Sequence, residues 1–143
     1  MDLSQIPAGF EPWTRGGSPV TAPWEPIYTR ERDAGVEVGT FIRPALCNSR
    51  GLLHGGVIAA LCDVAMGYTL GSVLRARGVD VLSLLTTHLS VDYIGKAERG
   101  WLNIAPNIIQ AGRSSGIVEA TATVDDQVIA HAKASFRCVA AKE

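Results

Sequence analysis

The sequence is poor in the features that mark several large classes of protein. Its 143 residues hold only three cysteines, Cys47, Cys62 and Cys138, an odd number with no close pair. That spacing argues against a disulfide framework and against a Cys-x-x-Cys metal knuckle, so a reducing, cytoplasmic setting is expected. Neither sign of charge dominates: thirteen basic and fourteen acidic side chains leave a net charge of -1. Such a chain is not built as a general binder of nucleic acid or of a membrane surface, although a local basic spot for an anionic ligand remains open. There is no Gly-x-Gly-x-x-Gly, no phosphate-binding loop and no cluster with metal-ligand spacing. Neither a metal nor a bound cofactor is therefore expected. Met1 to Phe10 carries Asp2 but no basic stretch followed by an apolar run, so no secretory signal is expected either.

What is present suits one small globular domain. Apolar residues make up 47% and charged residues 19%. A chain near this length hides roughly 70% of its unfolded surface. A charge near zero gives little colloidal repulsion, so self-association is tolerable.

Residues 1–26 are rich in Pro, Gly and Trp, including Pro12, Trp13, Gly16, Gly17 and Trp24. They read as an irregular N-terminal arm whose tryptophans pack onto the body. The domain proper is 27–143. It begins with a strand from Ile27 to Arg32, a turn at Asp33-Ala34-Gly35 and a returning strand from Val36 to Arg43, which Pro44 ends. A polar loop from Cys47 to Leu53 precedes a long helix from about Gly55 to Arg77. Gly78 is its C-terminal stop, and Arg75 and Arg77 suit the negative end of its dipole.

Val57 to Leu74 is eighteen residues with one charge, Asp63, which is the lower edge of a membrane span. Asp63 lies near its middle, where a carboxylate costs about 2.5–3.5 kcal/mol in lipid. A helix wrapped by sheet shows the same all-round apolarity, and no membrane contact is expected. Four strands follow: Val81 to Ile94, Trp101 to Ala111, Gly116 to Val124 and Val128 to Val139. The last two form a hairpin across Asp125-Asp126-Gln127, and Pro106 marks a bulge or an edge. In the first of these strands, alternation puts Leu85, Thr87, Leu89, Val91 and Tyr93 on one face. Thr86, His88, Ser90 and Asp92 take the other. One helix among consecutive strands means an α+β fold with an antiparallel sheet.

The stretch with chemical content is Asn48-x-x-Gly51-x-x-His54-Gly55-Gly56, followed by Asp63. Glycines at a helix start let a ligand approach the backbone and leave N–H groups facing outward at the positive end of the dipole. Such a site polarises a carbonyl and stabilises the oxyanion formed on attack. A carboxylate among Leu61, Cys62, Val64, Ala65 and Met66 is desolvated, and a desolvated carboxylate is a stronger base than a solvated one. It attacks an activated acyl carbon directly or deprotonates a water that does so. From Gly55 to Asp63 is about 12 Å along a helix axis. Asp63 also lies roughly opposite His54 around the helix. Reacting atoms must approach to about 3–3.5 Å, so both groups can serve one carbonyl only if they come from two chains. A two-fold dimer with two composite sites follows.

With its long helix and strand order, the pattern Asn48…Gly51…His54-Gly55-Gly56…Asp63 resembles the hotdog-fold acyl-CoA thioesterases of the PaaI-like type. Pro7-x-Gly9-Phe10 and Pro26-Ile27-Tyr28 are similar to that family's lead-in. The resemblance implies an antiparallel sheet wrapped around one central helix. It implies a homodimer that shares one continuous sheet, paired again into a homotetramer. The implied reaction hydrolyses aryl or short- to medium-chain acyl-CoA to free acid and CoA, with CoA as part of the substrate and no separate cofactor. Asp63 is then the nucleophile or general base, and the Gly55 N–H is the carbonyl-polarising donor. Asn48 reaches across the interface towards the thioester or the water, and His54 orients its loop. Thr86 holds the attacking water, with Thr87 as the alternative if the register differs by one. Gly56, Arg113 and Ser114 are candidate contacts to CoA. Trp13, Trp24 and Tyr68 frame the acyl pocket or simply pack in the core. His88 and His131 read as sheet histidines, and Cys62 as a buried inert thiol. The alternatives are a dehydratase on the same fold and a non-catalytic acyl-CoA-binding module.

Overall fold

A computed structural model describes residues 3–14 and 18–141. Gly16 and Gly17 of the arm, and Asp2, lie outside the described residues. One helix, α1 (Gly55–Ala76), lies against a seven-stranded antiparallel sheet. The strands are β1 (Glu11–Pro12), β2 (Tyr28–Arg32), β3 (Gly35–Phe41), β4 (Val81–Tyr93), β5 (Trp101–Ala111), β6 (Ser115–Val124) and β7 (Gln127–Ala140). Their order across the sheet is β1-β2-β3-β5-β6-β7-β4. This is the hotdog fold, with α1 as the filling.

The helix forms because its sequence combines Ala and Leu with a cap at each end. His54 is the N-cap, and Gly78, at φ +85, takes the left-handed position just past the last turn. α1 is long and apolar enough to cross a membrane by length and composition alone. Here it is buried in the sheet instead, and Leu61, Cys62, Ala65, Met66 and Leu70 are fully enclosed. Val38, Leu102, Ile104, Val118 and the alanines of β7 face it. Those small residues let the sheet close around the helix, and truncating one of the enclosed large side chains would cost about 2–5 kcal/mol.

The hairpin between β6 and β7 turns on Asp125 and Asp126. Both have positive φ (48° and 68°), as a two-residue turn that matches sheet twist requires. Pro106 pairs with Ala120 on β6 and lies beyond the last β3 partner of β5, where one side of the strand has no neighbour among the described residues.

Two expectations need correction. The arm is not irregular throughout, because Glu11 and Pro12 pair with Thr29 and Tyr28 and add a seventh strand at one edge. Its Phe10 packs edge-on against Trp101 at 5.1 Å, and Arg30 donates to the Ala8 carbonyl at 2.8 Å. The arm thus shares the sheet and the packing of the domain. Strict alternation along β4 also fails. Thr86 pairs with Phe136 and His88 with Ser135, so two β4 residues oppose one on β7 and Thr87 is the bulged residue. The bulge brings Thr86 onto the helix-facing side with Leu89, Val91 and Tyr93.

Candidate active site

The site is assembled on α1 and the β4 strand beside it. Asp63 lies on the second turn-and-a-half of the helix and is half-buried. The Thr86 hydroxyl donates to Asp63 Oδ1 at 2.7 Å. The bulge is what makes this contact possible, because it turns Thr86 inward. Thr87 instead donates to the Ser135 carbonyl on β7, at 3.1 Å. The pair opens onto a groove of about 360 Å³ that is also lined by Trp13, Val64, Gly67 and Tyr68. Asp63 therefore faces accessible space, and a hydrogen bond to a charged oxygen fixes its orientation.

Cys62 is the next residue but belongs to the core. Burial, with the Asp63 charge beside it, pushes its thiol up to about 12. A thiol that resists ionisation is a poor nucleophile.

At the start of α1, the Gly56 N–H donates to His54 Nδ1 at 2.8 Å. The Val57 and Ile58 N–H groups both reach the His54 carbonyl, at 3.1 Å each. The Gly55 N–H, at the first position of the helix, has no acceptor among the described residues. His54 is the N-cap of α1, and its side chain accepts from the Gly56 N–H. Gly56, a candidate contact to CoA, has its N–H engaged by the imidazole. Accepting at Nδ1 places the ring proton of His54 on Nε2. Tyr93, which the sequence reading did not single out, donates to the Gly55 carbonyl at 2.5 Å. Burial and the nearby Cys62 hold its phenol above the ordinary tyrosine value, so it stays a donor. Its place on the same face as Leu89 and Val91 was the available signal.

Asn48 Oδ1 accepts from the Arg50 and Leu52 N–H groups, at 2.9 and 3.1 Å. That closes the loop before the helix, with Gly51 at φ +77 completing the turn. The side-chain carbonyl of Asn48 therefore shapes its own loop. Arg113 and Ser114 line a separate depression at the far end of α1, with Arg77 and Gly78. Within one chain they are about 30 Å along the helix from Gly55. Trp24 is away from the groove and anchors the arm by accepting from Arg43 at its carbonyl. Among the described residues, no three His, Cys, Asp or Glu side chains come together as a metal site would require.

The thioesterase superfamily model matches residues 50–131, more than half of the chain. The chain belongs to the thioesterase superfamily. A Pseudomonas aeruginosa protein named "Putative esterase PA0474" is 26% identical over 137 residues, 94% of this chain and 98% of that protein. Solved structures of the same fold include a thioesterase family protein from Silicibacter pomeroyi. It is 24% identical, covers 87% of this chain and 91% of its own, and superposes with a TM-score of 0.76. A hypothetical thioesterase from Streptococcus pneumoniae, determined with coenzyme A, is 20% identical over 84% of this chain and 94% of its own, with a TM-score of 0.72. Membership makes the chain a hydrolase by family. The matched segment spans the stretch from Gly51 through Asp63 and Thr86.

Proposed function

We propose that this protein is a cytoplasmic PaaI-like thioesterase that hydrolyses acyl-CoA to free acid and CoA at sites shared between two copies of the chain. The observation that carries the reading is the Asp63–Thr86 pair, held at 2.7 Å and facing a groove beside an unpaired strand edge. The free donor of the same chain, the Gly55 N–H, is about 12 Å away along α1. A partner docked along β4 would bring its own Gly55 to the carbonyl that Asp63 addresses. The coenzyme A complex of the Streptococcus pneumoniae relative supports a CoA ester as the substrate.

The chemistry then divides among named groups. The partner copy's helix start polarises the thioester carbonyl, and its amide dipoles stabilise the developing oxyanion. Asp63 attacks the carbonyl carbon, or removes a proton from a water that does so. Thr86 orients the carboxylate and can hold that water. His54 caps the helix so that the Gly55 N–H is the donor left over, and Asn48 fixes the loop that precedes it. Arg113 and Ser114 are candidates for the CoA phosphates from whichever copy brings them near. The thiolate of CoA is a good leaving group, so the reaction needs no metal or cofactor. A second pairing of dimers would give a tetramer.

Asp63→Asn keeps the shape and removes the base. Its hydrolysis of aryl- and short-chain acyl-CoA, followed by thiol release, is expected to fall about 10²–10⁴-fold with an unchanged melting temperature. Turnover at the wild-type rate would remove Asp63 from the mechanism.

A further inference from the structure

Trp13 and Tyr68 meet edge to face, with ring centroids 5.5 Å apart and planes at 87°. One ring comes from the arm and the other from α1. Both line the Asp63 groove, and both also line a second, larger cavity of about 970 Å³ between the arm and the later half of the helix. The aromatic pair is therefore a partition between two spaces. Arg75 borders both as well.

The partition is held in place. The Trp13 N–H donates to the Ile27 carbonyl at 2.8 Å, and the residues just before it are paired to β2. Tyr68 is fixed by the helix. Along α1, Asp63, Val64, Gly67 and Tyr68 follow one another on the groove side. Gly67 adds no side chain to the floor of the groove beside the Phe136 ring. From Asp63 to Tyr68 the helix advances about 7.5 Å. An acyl group that starts at a carbonyl beside Asp63 and follows this face meets the ring pair after that distance.

We infer that Trp13 is a specificity-determining residue that sets the length of the acyl group. The partition leaves room for one aromatic ring or a short aliphatic chain and excludes long fatty acyl groups. A larger space lies beyond it, between the arm and the helix. This inference rests on the Asp63 groove being the acyl site, and it adds that the N-terminal arm supplies the wall.

The test compares wild type, Trp13→Ala and Trp13→Phe on benzoyl-CoA and on straight-chain acyl-CoA esters from acetyl to palmitoyl. Both kcat/KM and calorimetric binding are read for each ester, with melting curves for each protein. In wild type, kcat/KM is expected to drop steeply past the medium chains. Trp13→Ala should raise long-chain over short-chain preference at least tenfold, since pocket contacts of this kind discriminate by about 10–200-fold. Trp13→Phe should keep the wild-type profile. A uniform fall across all chain lengths in Trp13→Ala, with the profile unchanged, would mean that Trp13 only packs the arm and would overturn the inference. Binding separates the two claims. If no ester is cleaved by wild type, the hydrolytic reading fails, yet long-chain esters that bind Trp13→Ala and not wild type still support the wall. Equal binding of every chain length to both proteins overturns it.

Discussion

The two edges of the sheet are built in opposite ways. At one edge, β1 has only two residues, and one of them is Pro12, which cannot donate to a further strand. Short strands with proline are a common way to blunt an edge against pairing. At the other edge, β4 runs for thirteen residues with no proline or glycine and no lysine. Its exposed side chains include Leu82 and Leu85, which are 70% and 49% accessible. Even with its bulge at Thr87, a long and partly apolar edge is an open template for another strand. The protein thus closes one edge with its own arm and leaves the other free. The free edge is the one that carries Thr86, next to Asp63. This asymmetry supports the proposed dimer, in which a second copy covers the exposed leucines and completes both sites.

The comparison can be broken most forcefully at β4. Leu82→Lys combined with Leu85→Lys changes two exposed positions, so the monomer fold should persist by circular dichroism. Two-fold symmetry brings like charges together across the edge, and sedimentation should show a monomer. Hydrolysis should fall about a hundredfold or more, because each site loses its partner's donor. A fully active monomer would contradict the composite site.

A smaller effect is expected inside the site. Thr86→Val keeps the size and removes the donor to Asp63. A hydrogen bond to a charged group is worth about 1.5–3 kcal/mol, so kcat should drop roughly 10–100-fold while the dimer persists. Thr87→Val is the control, since its hydroxyl reaches only the Ser135 carbonyl. It should stay within about threefold of wild type in a kcat assay.

The smallest effect belongs to the blunted edge. Pro12→Ala changes neither Trp13 nor any residue of β4. Its oligomeric state should be unchanged by sedimentation, and its stability should move by no more than about 0.5 kcal/mol by denaturant titration. Higher assemblies in that variant would show that Pro12 is what keeps this edge closed.

Much of this was legible in the sequence, for local reasons. Gly78 and the His-Gly-Gly turn bracket α1, and β-branched runs bounded by turn residues located the strands to within a residue or two. The helix spacing alone separated Gly55 from Asp63. What was not legible depends on contacts between distant segments. The bulge at Thr87 is set by the register of β4 against β7, which no pattern within β4 reveals. Alternation therefore put Thr86 on the face opposite Leu89, although it had been matched to the site by its position in the family. β1 is too short to show a period. The loss of the Gly56 N–H to His54 follows from a rotamer, and the Tyr93 bond to Gly55 from the way β4 passes the helix start.

The composite site is tested most directly by a heterodimer purified through two different tags, one copy carrying Asp63→Asn and the other Gly55→Pro. Proline suits the first helical position and deletes the N–H, and His54 at φ -72, ψ 131 already has the extended backbone that a following proline requires. Each homodimer should be nearly inactive. The heterodimer retains one intact site, Asp63 of one copy facing Gly55 of the other, and is expected to show about half the wild-type rate. A heterodimer as inactive as its parents would contradict the account, because it would place donor and carboxylate of each site in a single chain.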